Sequence, residues 1–229
     1  MDATPDIAAI AGLIGDRTRA TMLLCLMGGR SVSATDLARA ARVTKQTGSA
    51  HLSRLVAARL VAVENVGRHR YFRLGGADVG TVIEHLMGLA RRVGAARSDS
   101  GPLDPALRKA RVCYDHLAGD LGVLIYDSLR QQDLLRMDDT KLSLSAQGER
   151  FCQKLGIDVS ALVRGRRPLC LACLDWTVRR PHLAGALGAA ILSRCFALGW
   201  ARPQRATRAV SFSALGERAL RARFRYPQG

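Results

Sequence analysis

The segment His116-Leu117-Ala118-Gly119-Asp120-Leu121-Gly122 returns, with a single change, as His182-Leu183-Ala184-Gly185-Ala186-Leu187-Gly188. A second pair follows at nearly the same interval. Leu142-Ser143-Leu144-Ser145-Ala146-Gln147-Gly148-Glu149-Arg150 returns as Val210-Ser211-Phe212-Ser213-Ala214-Leu215-Gly216-Glu217-Arg218. Two motifs repeated in the same order restrict the second half to two copies of one unit, about 113–158 and 179–226. Each copy reads as a helix (116–131 and 182–199), a short turn, a strand (141–144 and 209–212) and a closing helix. Two such copies pack as a pseudo-symmetric pair, and the cleft between them is the expected ligand pocket.

The first half reads differently. Ile7, Ile10 and Ile14 share one helical face. Asp16 is an N-cap candidate for a helix running to Met27, where Gly28-Gly29 stop it. Ser33-Ala34-Thr35-Asp36 opens a short helix through Ala40, and Val43-Thr44 is a turn and new cap. Thr44 to Leu60 forms a longer helix with Leu52, Leu55 and Val56 inward. Val61 to Glu64, the turn Asn65 to Arg68, and His69 to Leu74 alternate as a β-hairpin. This order is that of a winged helix-turn-helix, whose longer helix can enter the major groove of duplex DNA. Lys45, Gln46, Thr47, Ser49, Ala50, His51 and Arg54 lie on that helix. Gln46 can read adenine with two hydrogen bonds; Lys45 can read guanine or hold a phosphate. Arg68, His69 and Arg70 sit at the wing tip, within reach of the DNA backbone or minor groove. The next helix, 78–93, carries Ile83, Leu86, Ala90 and Val93 as a stripe that is either core or a dimer seam.

The fold class is therefore mainly α with short β-hairpins: a winged helix-turn-helix (1–94), a linker (95–103) of small and polar residues broken by glycine and proline, and a winged-helix-like pair (104–229). At 229 residues and 48% hydrophobic, both halves can bury a core. A net charge of +16 suits a polyanionic partner. No apolar run is long enough to span a membrane and the acidic N-terminus is unlike a signal peptide, so no membrane partner and a cytoplasmic setting with reduced thiols are expected. No phosphate loop, nucleophile elbow or supported acid–base pair marks an enzyme. The competing readings are a non-specific architectural DNA-binding protein and a thiol-redox enzyme built on Cys170-x-x-Cys173.

Sensing residues would come from the second half. Cys113-Tyr114-Asp115-His116 opens the first copy, and Cys170-Leu171-Ala172-Cys173-Leu174-Asp175-Trp176 precedes His182 in the second. Pseudo-symmetry could bring Cys113, His116, Cys173 and His182 together as a site for zinc or another thiophilic metal. The same region could instead hold an organic effector against Tyr114, Trp176 and the histidines, respond by thiol chemistry, or be purely structural.

Gly15-Asp16-Arg17-Thr18-Arg19, Thr35-Asp36-Leu37-Ala38, Gln46 to Leu52 and Gly67 to Leu74 resemble, in order and spacing, the ArsR/SmtB family of repressors. That resemblance implies a homodimer that represses transcription at an operator, here one near its own gene, and releases DNA on receiving a signal. The second half resembles the tails of longer members of that family. Metal-sensing members carry Cys-x-Cys at the start of the short helix, where this chain has Ser31 to Asp36 without a thiol. Others use Asp and His on the helix after the wing, but Asp78, Glu84 and His85 lack that spacing. Neither of those metal sites is expected here.

Overall fold

The computed structural model describes residues 4–67, 69–95, 104–139, 141–204 and 207–225. The chain divides into two compact units, Met1–Ile83 and Glu84–Gly229.

In the first unit, short polar side chains set where helices begin. Asp6, Asp16, Ser33 and Thr44 each accept a hydrogen bond from the backbone N–H three residues on. They open α1 (Ile7–Ile14), α2 (Arg17–Leu26), α3 (Ala34–Ala40) and α4 (Lys45–Ala57). α4 stops short of the expected Leu60. Arg59 adopts a left-handed φ of 58°, and Leu60 N–H bonds back to Leu55 while Arg59 N–H bonds to Val56, the pattern that closes a helix. β1 (Val32–Ser33), β2 (Val61–Val66) and β3 (His69–Leu74) pair antiparallel in the order β1-β3-β2. Alternation along β3 sends Phe72 and Leu74 into a core shared with Met22, Leu26, Leu37, Leu52 and Leu55. Gly48 lets α4 cross α3 closely: a Cβ there would lie 2.8 Å from that of Ala38. α5 (Ala77–Arg92) follows the wing. The division between the units falls inside α5, at Glu84, a buried residue whose carboxylate lies 3.1 Å from Arg208 Nη1. Residues 96–103 of the expected linker, and Arg68 of the wing, lie outside the described residues.

After the second half of α5, the second unit continues with α6 (Pro105–Lys109) and then runs twice through hairpin, helix, hairpin, helix. The first pass is β4 (Arg111–Cys113), β5 (His116–Ala118), α7 (Asp120–Gln131), β6 (Leu135–Asp138), β7 (Lys141–Leu144) and α8 (Ala146–Lys154), with α9 (Val159–Val163) leading on. The second is β8 (Leu171–Leu174), β9 (Pro181–Ala184), α10 (Gly185–Ala197), β10 (Ala201–Pro203), β11 (Val210–Phe212) and α11 (Ala214–Arg223). The expected helices do not start at 116 and 182. Those residues are strands, and the glycines after them turn the chain with φ of 84° at Gly119 and 83° at Gly185. A side chain is excluded at either glycine, since a Cβ would lie 2.5 Å from Arg108 O or 2.7 Å from Leu169 O.

The two passes exchange hairpins: β9 packs on α7, and β5 packs on α10. Glycines permit both approaches. A Cβ on Gly122 would lie 2.3 Å from Leu117 O and 3.7 Å from His182 Cβ; one on Gly188 would lie 2.3 Å from Leu183 O and 3.2 Å from His116 Cβ. Around this centre Leu117, Leu121, Ile125, Leu183, Leu187 and Ile191 form one core with Leu129, Leu220 and Phe224. The copies touch closely at this centre, while a cavity of about 580 Å³ lies between β7 and β8, lined by Leu142, Leu144, Leu169 and Leu171. Only about 10 Å³ remains among Leu117, Gly122, Ile125, Leu183, Gly188 and Ile191, room for no more than one water. No helix among the described residues is long and apolar enough to cross a membrane.

Alanine at a helical glycine normally stabilises by up to about 1 kcal/mol. At Gly122 the clash is with backbone, and overpacking costs about 1–3 kcal/mol. Gly122→Ala therefore lowers the urea midpoint at unchanged slope. Gly88→Ala on α5, where a Cβ meets nothing within 4 Å, raises it.

Candidate metal centre and nucleic-acid interface

Cys113 and His116 are directly opposed across β4–β5, and Cys173 and His182 across β8–β9. The four ligand atoms lie within 4.8 Å of one another, and all four side chains are buried. The His116 and His182 Nε2 atoms stand 3.2 Å apart, with ring centroids 5.0 Å apart and planes 26° from parallel. A tetrahedral zinc ion, with Zn–N of about 2.0–2.1 Å and Zn–S of about 2.3 Å, sets edges of about 3.3 Å between nitrogens and about 3.8 Å between sulfurs. The observed nitrogen separation fits that edge, and two sulfurs with two imidazoles are a borderline-soft donor set.

Asp115 orients one of the rings. Its Oδ1 lies 3.1 Å from His116 Nδ1, which leaves Nε2 facing the tetrad. Arg167 grips both Asp115 oxygens and lies over the Tyr114 ring, 6.0 Å from its centroid. His182 has no such support: its Nδ1 is buried without a partner. Hydrogen bonding to Cys113 and to the two histidines, acting against burial, holds the Cys173 thiol far below the ordinary thiol range. The same bond to Cys173 and burial push Cys113 well above it. Burial disfavours a charged His116, yet its bonds to Asp115 and Cys173 outweigh that and raise its pKa. The remaining buried thiols behave otherwise. Burial pushes Cys152 up to about 11 and Cys170 and Cys195 up to about 12, as expected of unreactive core residues. Cys170 sits in the apolar core, so Cys170-x-x-Cys173 is split between core and tetrad.

A buried ion network adjoins the tetrad, and sequence reasoning missed it. Arg111 lies two residues before Cys113 and Asp175 two after Cys173. Both are fully buried, with Arg111 Nη2 3.0 Å from Asp175 Oδ2 and 3.6 Å from Glu84 Oε2. Arg208 completes the set, 3.1 Å from Glu84 Oε1. Asp175 also accepts from Gly119 N–H at 2.6 Å, Thr177 N–H at 2.8 Å and Val178 N–H at 2.9 Å. Burial alone would raise its pKa; Arg111 and these donors hold it well below the carboxylate range. Trp176, expected beside the histidines, instead lies under Arg111, whose guanidinium is 5.0 Å from its ring centroid. The only sequence signal was the placement of Arg111 and Asp175 on the ligand strands or just beyond them, and charge alone does not reveal burial.

In the first unit, α4 exposes Lys45, Gln46, Thr47, Ser49, Ala50 and Arg54 and buries Gly48, Leu52 and Leu55. His51 is half-buried, its Nδ1 3.5 Å from Asp16 and 3.4 Å from Arg19, so it ties α4 to the start of α2. His69 and Arg70 are exposed on the wing, with Arg70 lying over Phe72 at 5.7 Å. An exposed polar and basic helix face beside a basic hairpin is what a winged helix-turn-helix needs to engage DNA.

Comparison with known proteins agrees. The helix-turn-helix domain family matches residues 14–64. The uncharacterized HTH-type transcriptional regulator YdfF of Bacillus subtilis is 40% identical over 216 residues, covering 94% of this chain and 96% of that protein. Among solved structures, the homodimeric winged helix-turn-helix domain of a possible ArsR-family regulator from Mycobacterium bovis is 20% identical, with a TM-score of 0.36, over 44% of this chain and all of its own. The cadmium sensor CMTR of Mycobacterium tuberculosis is 25% identical, with a TM-score of 0.32, over 43% of this chain and 99% of its own. The chain belongs to the HTH-type transcriptional regulators, and its likeness to YdfF runs through both halves.

Removing one member of the ion network strands the others. Glu84→Ala leaves Arg111 with Asp175 alone and takes from Arg208 its carboxylate, and a broken buried pair costs about 3–5 kcal/mol. Both tryptophans, Trp176 and Trp200, lie in the second unit, so denaturation followed by their emission reads this loss directly.

Proposed function

We propose that this regulator is a homodimeric repressor of the ArsR/SmtB type. It reads a roughly palindromic operator near its own gene and lets go when an effector occupies the second unit. The carrying observation is α4, which buries Leu52 and Leu55 and turns Lys45, Gln46, Ser49 and Arg54 outward. Gln46 reads base edges, while Lys45, Arg54, His69 and Arg70 hold phosphates. Exposed apolar side chains favour a dimer: Ile7 and Ile10 on α1, Val82 and Leu86 on α5, and Val93 just beyond it. Burying such surface against a second copy removes it from water, and a two-fold protein matches a two-fold operator.

The second unit carries a zinc-class metal on Cys113, His116, Cys173 and His182. Four protein donors leave no open position, so the ion fastens the two hairpins and performs no hydrolytic chemistry. Asp115 keeps His116 in the ligating tautomer. A chromosomal target places the protein in the cytoplasm, where its thiols stay reduced.

Binding to the DNA upstream of its own gene, compared with a scrambled duplex at physiological salt, tests the regulator. The expected preference is about 10³-fold or more; equal binding would favour an architectural protein. Gln46→Ala relaxes sequence preference, whereas Arg70→Ala weakens all duplexes alike. For the metal, Asp115→Asn lowers zinc affinity by about 10–100-fold in a chelator competition, and unchanged affinity would remove Asp115 from the site.

A further inference from the structure

A second cavity lies beside the ion network, away from the filled centre of the repeat. It has a volume of about 230 Å³, and His85, Leu89 and Arg92 of α5 line it with Leu174, Trp176 and Arg179 from the β8–β9 hairpin and its turn. That is smaller than pockets for drug-sized ligands, which run from about 300 Å³ upward, so the occupant must be small.

The lining combines apolar and positively charged side chains. Leu89, Leu174 and the Trp176 ring supply apolar wall. Arg92 and Arg179 supply positive charge, and neither has an ion-pair partner among the described residues. Asp175 also lines the cavity, but its oxygens are already engaged by Arg111, Thr177, Val178 and Gly119. The Trp176 indole N–H is buried and has no acceptor. Buried donors without a partner are rare and call for an explanation such as a water or a ligand. Arg179 is held at a left-handed φ of 61° by a tight turn, with Arg179 N–H bonded to Asp175 O at 2.8 Å and Asp175 N–H to Arg180 O at 2.9 Å.

We propose that this cavity is the effector site and that it binds a small aromatic carboxylate. The ring lies against Trp176, Leu89 and Leu174. The carboxylate is paired by Arg92 and Arg179 and accepts the indole N–H. Such a ligand would bridge α5 to the hairpin that supplies Cys173 and His182. This rests on the reading of the chain as an effector-responsive regulator.

Benzoate is the probe. The zinc-loaded, full-length protein is titrated with benzoate and, separately, with benzamide, following tryptophan emission and heat. The expected result is saturable binding of one benzoate per chain, with benzamide at least roughly tenfold weaker, because a charge-assisted pair is lost. Arg92→Ala and Arg179→Ala each weaken benzoate by a similar factor. Gly88→Leu grows a side chain from α5, where a Cβ meets nothing within 4 Å, so it blocks the cavity without disturbing the core. Absence of saturation, equal binding of benzamide, or undiminished binding by Gly88→Leu overturns the proposal. Operator affinity of the ligand-free protein, taken on the same samples, reports separately on the regulator reading.

Discussion

Two histidines meeting at a pseudo-two-fold centre set the terms for the second unit. His116 and His182 can stand 3.2 Å apart only if each hairpin leans across onto the helix of the other copy. That lean needs Gly122 and Gly188 bare on α7 and α10, and it needs Gly119 and Gly185 to turn the chain sharply from strand into helix. The repeated HLAG-x-LG is thus a packing device. Its histidine is the knob, its first glycine the corner, and its last glycine the hole that receives the opposite copy.

Bringing two imidazoles and two thiols together in a dry interior is unfavourable unless their polar atoms are satisfied. Within the protein alone they are satisfied unequally: His116 has Asp115 behind it, His182 has nothing, and the two sulfurs compete for a proton. A tetrahedral cation would satisfy the two facing Nε2 atoms and both sulfurs at once, though not His182 Nδ1, which is why the donor set speaks for a metal more strongly than the spacing of any one motif. The adjoining Arg111, Asp175, Glu84 and Arg208 network is charge-balanced but incompletely hydrogen-bonded, with Glu84 Oε2 and Arg111 Nε lacking partners. Buried ion pairs contribute little net stability over apolar packing, and their best-attested use is to specify one arrangement. Here that arrangement sets β4, the β8–β9 turn and the C-terminal part of α5 against one another.

Much of this was legible before any coordinates. The N-caps Asp16, Ser33 and Thr44, the glycine-bearing wing turn and the buried Leu52 and Leu55 are local signals, and local signals survive folding. The tetrad was legible because pseudo-symmetry makes a spatial statement: if two copies pair, their equivalent residues meet at the axis. The strand character of His116–Ala118 and Pro181–Ala184 was not. Short apolar runs suit helix and strand alike, and only the positive φ of the following glycines decides between them. Nor was the close contact at the centre of the repeat, which depends on a few ångströms of approach allowed by Gly122 and Gly188. Arg111 and Asp175 look like any surface charges in a basic chain, so their burial could not be read from the sequence either.

The most direct test of the account is zinc K-edge absorption on the metal-loaded protein. It should show a four-coordinate first shell of two sulfurs at about 2.3 Å and two nitrogens at about 2.0–2.1 Å. It should lose one sulfur in Cys173→Ser. A shell of light atoms alone, or a spectrum indifferent to Cys173, would mean that the tetrad is a packed cluster of side chains and that the second unit is not built around a metal.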